Sequence, residues 1–170
     1  MIIERKMILD DFVSAVNHYR RSGELKIVSN PRVKIYETSK YSHPLIDMEI
    51  DVVFRGRFER WNAWADLEFF NETVRKLGIR DEKYEKALER ELEVYREMLE
   101  LDKRFWRKKE INYSTYVRLS EPLEIEFQER KRELRWEMSR VVNKIFEKLN
   151  LKPDDDFDMP YSYSTRIVPG

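Results

Sequence analysis

The sequence predicts an α+β fold: an N-terminal helix with a four-stranded antiparallel sheet, followed by a long antiparallel helical hairpin. Three observations lead there. Residues 45–54 alternate apolar and polar with period two, residues on either side of 110 repeat their apolar positions every three or four, and turn chemistry punctuates the first half at Gly23, Ser29-Asn30-Pro31 and Arg55-Gly56-Arg57. The expected division is a small α+β unit over 1–78, the helical hairpin over 79–150 and an extended tail over 151–170.

Taken in order, Phe12, Val13, Val16 and Tyr19 share one helical face, begun at Asp10 or Asp11 and ended by Gly23. ELKIVS and RVKIYET, rich in β-branched residues, read as a hairpin turning at Asn30-Pro31. In 45–54, Ile46, Met48, Ile50, Val52 and Phe54 fall on one side and Asp47, Glu49, Asp51 and Val53 on the other, which makes a strand. Residues 60–70 read as its partner, with Trp61, Ala63, Ala65, Leu67 and Phe69 inward and Asn62, Asp66 and Glu68 outward. Asn71 then caps a short helix closed by Gly78.

Asp81 begins a helix to about Glu110, roughly 45 Å long at 1.5 Å per residue. Its expected apolar stripe is Tyr84, Leu88, Leu92, Tyr95, Leu99 and Phe105 or Trp106. After the connector INYSTYVRL a second helix is expected from Ser120 to about Asn150, burying Leu134, Met138, Val141, Ile145 and Leu149.

Composition narrows the function. The chain has 170 residues, 33 Lys+Arg against 33 Asp+Glu, and no Cys. Zero net charge provides no global field toward nucleic acid or acidic membranes. Without Cys there is no disulfide, thiolate metal site or thiol nucleophile, and a reducing cytoplasm is the expected setting. No apolar run is long enough to span a membrane, and MIIERKMILDD lacks the apolar core of a signal peptide. A charged fraction of 39% with Gln128 as the sole glutamine is the pattern expected of a hyperthermophile protein rich in surface ion pairs.

Two groups of residues are candidates for chemistry. Asp47, Glu49 and Asp51 share a face of one strand, and Asp66 and Glu68 share a face of its expected partner. Carboxylates brought together this way would suit Mg²⁺ or Mn²⁺, which can activate water for phosphodiester hydrolysis. A helix, a strand bearing Asp51 and a strand bearing Asp66-Leu67-Glu68 resembles the PD-(D/E)xK nuclease superfamily over residues 9–78. That resemblance implies catalysis by Asp51, Asp66 and Glu68 with metal on Asp51 and Asp66, although Glu68 stands where the pattern has lysine. The simpler reading pairs the acid row with Arg32 and Lys34 across a solvated sheet. Ile3-Glu4-Arg5-Lys6, EIDVVFRGRF and ADLEF are similar to stretches of CYTH-type triphosphate-binding proteins, but Ile2 replaces that motif's first acid.

The second group is basic: Lys103, Arg104, Arg107 and Lys108 around Trp106, and Arg130, Lys131 and Arg135 beside Trp136. Cations interleaved with indoles suit phosphates and bases, whereas cations at a helix end also complement its dipole. His18 and His43 assemble no His triad, HExxH or Ser-His-Asp arrangement, and the four isolated glycines form no phosphate loop.

Apolar residues off the main helical stripes, Val94, Met98, Leu101, Leu123, Ile125 and Phe146, call for more cover than one partner helix supplies. The tail is aromatic for a free end, with Phe157, Met159, Tyr161 and Tyr163, and is expected to dock. The leading expectation is therefore a non-catalytic intracellular interaction or assembly protein, a homodimer or partner-binding protein acting through its long helices, with no cofactor and no membrane. A divalent-metal nuclease and a nucleic-acid-binding protein are the alternatives.

Overall fold

Backbone geometry makes IERKMI a strand, β1 (Ile3–Ile8), which leads straight into the first helix, α1 (Leu9–Arg21). The computed structural model describes residues 2–154, and the expected docking of the tail lies outside them beyond Asp154. Three further strands precede a hairpin partner: β2 (Leu25–Ile27), β3 (Arg32–Tyr36), β4 (Leu45–Phe54) and then β5 (Arg57–Ala65). Helices α2 (Leu67–Lys76) and α3 (Glu82–Asp102) follow, α3 runs into a π-helical turn over Lys103–Arg107, and α4 (Tyr113–Leu149) closes the series. No described helix is long and apolar enough to cross a membrane.

The chain forms two compact units, each discontinuous in sequence. The first takes Met1–Lys34, Asp47–Trp64 and the stretch from Phe146; the second takes Ile35–Ile46 and Ala65–Ile145.

In the first unit the strand order is β1-β5-β4-β2, with β3 also on β4. The sheet is five-stranded and mixed, not four-stranded and antiparallel, because β1 joins β5 in parallel from Ile3 opposite Glu59 to Ile8 opposite Trp64. The expected hairpin of β2 with β3 is also corrected: both lie on β4, whose other edge holds β5. β2 pairs antiparallel with β4, Leu25 opposite Phe54 and Ile27 opposite Val52. Pro31 lacks an N–H and breaks the run, and Ser29 fills the gap by accepting the Asp51 amide on its hydroxyl at 2.9 Å. β4 turns into β5 through Arg55 (φ 51°) and Gly56 (φ 80°), two left-handed residues of the kind a two-residue hairpin needs.

Alternation along β4 buries Met48, Ile50, Val52 and Phe54, which meet Trp61 and Ala63 of β5 and Leu9, Phe12 and Val16 of α1 in the core. Tyr19 closes one side, edge-on to Phe54 at 4.8 Å. Arg20 ties in the chain's later part, donating to the carbonyls of Leu149 (2.8 Å) and Asn150 (2.9 Å) and to Asp154 (2.7 Å), so a cation covers the orphan carbonyls at the end of α4.

In the second unit the expected strand beyond Ala65 is a helix instead. Asp66 accepts the Phe69 amide at 2.8 Å as the N-cap of α2, which buries Leu67, Phe70 and Val74. Asp81 caps α3 through the Tyr84 amide at 3.0 Å. Contacts along the two long helices run in opposite senses: Asp81 meets Arg140 and Lys144, Arg90 meets Glu133, Tyr95 meets Phe127, and Asp102 meets Tyr116. α4 begins at Tyr113, not Ser120; Asn112 caps it through the Thr115 amide at 2.8 Å, and Pro122 lies inside the helix.

Asp81 is 5% exposed and does three jobs, accepting from Tyr84, Arg140 (2.8 Å) and Lys144 (2.6 Å). Burial pushes its carboxyl up, but Lys144, the Tyr84 amide and Arg140 together outweigh burial and hold it below its ordinary value. A lowered carboxylate contributes stability that is complete above the unfolded value, near 3.9, and disappears as pH falls through the folded one. Asp81→Ala should therefore cost about 2 kcal/mol at neutral pH, about half for the cap and half for the cations. Asp81→Asn, which keeps the cap, should cost about half as much. Urea unfolding from neutral pH into acid should show the Asn variant's deficit closing below about pH 4; a deficit unchanged in strong acid would contradict this assignment.

Candidate functional site

The acid row comes first. In the first unit, Arg32 donates to Glu49 at 2.7 Å and to Asp51 at 3.1 Å, Arg60 donates to Asp51 at 2.9 Å, and Asn62 reaches Glu49 at 3.4 Å. The Arg32 guanidinium holds the Glu49 carboxyl below the usual range against the opposing effect of burial. Asp47, Glu49, Asn62, Arg32 and Lys34 line a shallow depression of about 310 Å³. Two arginines thus converge on one oxygen, Oδ1, of the Asp51 carboxylate that a nuclease would turn to a metal.

Asp66 and Glu68 do not form the outward row of a partner strand, since both belong to the start of α2. Asp66 spends its carboxylate on the Phe69 amide, and Glu68 is exposed in the first turn. Among the described residues no group of three or more His, Asp or Glu side chains gathers as metal ligands do.

The basic groups divide. Lys103 pairs with Glu100 at 3.7 Å, and Arg104 and Lys108 both lean on Glu110, at 3.6 and 4.0 Å. Arg107 is exposed beside Trp106 at the edge of an open depression shared with Arg96, Leu99 and Lys103. Arg130 sits between Glu126 and Glu133. Arg135 is bound to Glu37. Lys131, expected on a nucleic-acid face, is instead 1% exposed: four residues past Phe127 and three before Leu134, it lies on the buried stripe of α4.

Lys131 belongs to a buried polar cluster that sequence reasoning missed. Its ammonium donates to the carbonyls of Lys40 (2.7 Å) and Ser42 (3.2 Å), lies 4.6 Å from the Phe127 ring centroid and stands 3.9 Å from Glu37. Burial lowers its affinity for its proton while Glu37 and Glu91 oppose that effect. Beside it, Glu91 is fully buried on α3 and holds Nδ1 of His43 at 2.6 Å; its other oxygen has no hydrogen-bond partner among the described residues. The His43 ring packs 4.4 Å from Tyr95. A carboxylate holding one imidazole nitrogen orients the ring, and here the same contacts pin residues 37–43 against both long helices. The signal was present but unread: Glu91 stands seven residues from Tyr84, so it shares that residue's face.

A second hollow, about 260 Å³, opens between Tyr41, Met98, Leu101, Asp102, Tyr116 and Glu124. Its phenols already serve its carboxylates, Tyr116 to Asp102 at 2.6 Å and Tyr41 to Glu124 at 3.2 Å. The hydrogen bond to Asp102, aided by burial, pushes the Tyr116 hydroxyl up to about 12.

The helices also leave large apolar side chains uncovered. Trp106 is 67% exposed, Trp136 70%, Ile125 63% and Leu99 49%. Among the off-stripe residues expected to be surplus, Val94 and Leu101 are buried. Comparison with known proteins finds no matching family model, no matching curated relative and no matching solved structure.

The burial of Lys131 makes a test. Lys131→Met keeps its length but strands the carbonyls of Lys40 and Ser42, and should destabilise the fold by about 1–3 kcal/mol in urea unfolding. Unchanged stability combined with weakened, salt-sensitive nucleic-acid binding would return Lys131 to the surface role the sequence suggested.

Proposed function

We propose that this is a non-catalytic interaction or assembly protein that works by association of its long helices, forming a homodimer. The observation that supports it is the pair of large side chains on the outer side of α4. At about 100° per residue, Ile125 and Trp136 fall within roughly 20° of one another, and each is about 200° from a buried neighbour, Phe127 and Leu134 respectively. They point directly away from the core stripe.

An indole left 70% in water contributes little to its own fold and leaves a large apolar face hydrated. Tryptophan is also the residue most often found to dominate binding when it is desolvated at an interface. The charged clusters favour the same reading, because most of their members are neutralised within the chain, which leaves little to hold a polyanion. Glu49 and Asp51 of the acid row likewise have arginine partners.

Light scattering on the purified chain should give the mass of a dimer. Trp136→Ser should raise the dimer dissociation constant by about tenfold or more without altering the thermal unfolding of the dilute chain. A monomer at the highest soluble concentration would refute self-association.

A further inference from the structure

We infer that the outer face of α4 is covered by the same face of a second copy, docked antiparallel about a two-fold axis that passes between positions 130 and 131. This deepens the association reading above and rests on it.

A two-fold axis crossing an antiparallel helix pair imposes a strict rule: residue i of one copy meets residue j of the other, and j meets i. The sequence of that face must then read as a palindrome of complementary chemistry. The outer face of α4 does so. Its exposed residues run Ile125, Glu129, Arg132, Trp136, with spacings of four, three and four. Turned end for end about the centre, Ile125 meets Trp136 of the partner copy and Glu129 meets Arg132 of the partner copy. Two apolar pairs, one at each end, thus flank two ion pairs related by the axis. One turn further out, the same register sets exposed Pro122 against exposed Ser139, small enough for close approach.

The charges around the centre of this face fit the pairing. On the same helix, Arg130 is paired with Glu126 and Glu133, Arg135 with Glu37, and Arg140 with Asp81 and Glu137. Glu129 and Arg132 have no opposite charge within ion-pair reach among the described residues, although they are only three apart. They are the pair at the centre of the palindrome. A partner of different sequence would have no reason to find its complement arranged symmetrically about that point.

The test uses the full chain, whose lack of Cys gives a silent background. Glu129→Arg and Arg132→Glu should each weaken the dimer about tenfold or more, because each places like charges opposite one another twice per dimer. The double charge reversal E129R/R132E should return the dissociation constant to within about threefold of the original. Mixing copies bearing Glu129→Cys with copies bearing Arg132→Cys should form disulfide-linked dimers faster than either variant alone. If the chain is dimeric but neither recovery nor mixed cross-linking occurs, this register is wrong and the association reading stands. A monomeric chain would overturn both.

Discussion

The hydrogen-bonding needs of β4 dictate most of the first unit. A strand with one face buried must satisfy its backbone on both edges. β5, joined to it by the turn at Arg55 and Gly56, takes one edge. The other edge is covered by two short strands because a proline interrupts what would otherwise be one. Ser29 then supplies from its side chain the acceptor that the Asp51 amide would have lost. With both edges held, alternation does the rest, sending the apolar residues into the core under α1 and the acids to a face where Arg32 and Arg60 meet them.

In the second unit, buried charge has the same organising role. Asp81 caps one helix and holds two cations of another, while Glu91 and Lys131 secure residues 37–43 through His43 and two backbone carbonyls. Groups of this kind are costly to bury unless paired, so they define which contacts must form rather than merely add to stability. The pairing also draws on two members of the second basic cluster: Lys131 is buried, and half-buried Arg135 is bound to Glu37. Glu129 and Arg132, exposed and without an ion-pair partner among the described residues, sit between two exposed apolar residues.

Several elements were legible because their signals are local. The period of 45–54 yields β4, the face shared by Phe12, Val13 and Val16 yields α1, and Asp81 marks the start of α3. Others failed for specific reasons. β1 is mostly exposed and pairs in parallel with β5, more than fifty residues distant, so no turn announces it. Asp66 was read as an outward strand residue because Leu67 and Phe69 continue the alternation of β5, although an aspartate whose side chain can take the amide three residues on is a helix cap. The expected start at Ser120 is also too late: α4 begins at Tyr113, capped by Asn112, and continues through Pro122.

The class of the fold and the two-sided character of β4 are written in the order of the residues, because both follow from periodicity along neighbouring positions. The sequence also supplied the chemistry of the outer face of α4, since Ile125, Glu129, Arg132 and Trp136 can be read in order. Only the tertiary structure decided which of these charges and indoles remain available. Glu91 and Lys131 resemble the surface residues around them until packing buries them, and Glu129 and Arg132 stand out only once their neighbours are seen to be paired. Availability depends on contacts between residues far apart in the chain, and no local pattern encodes it.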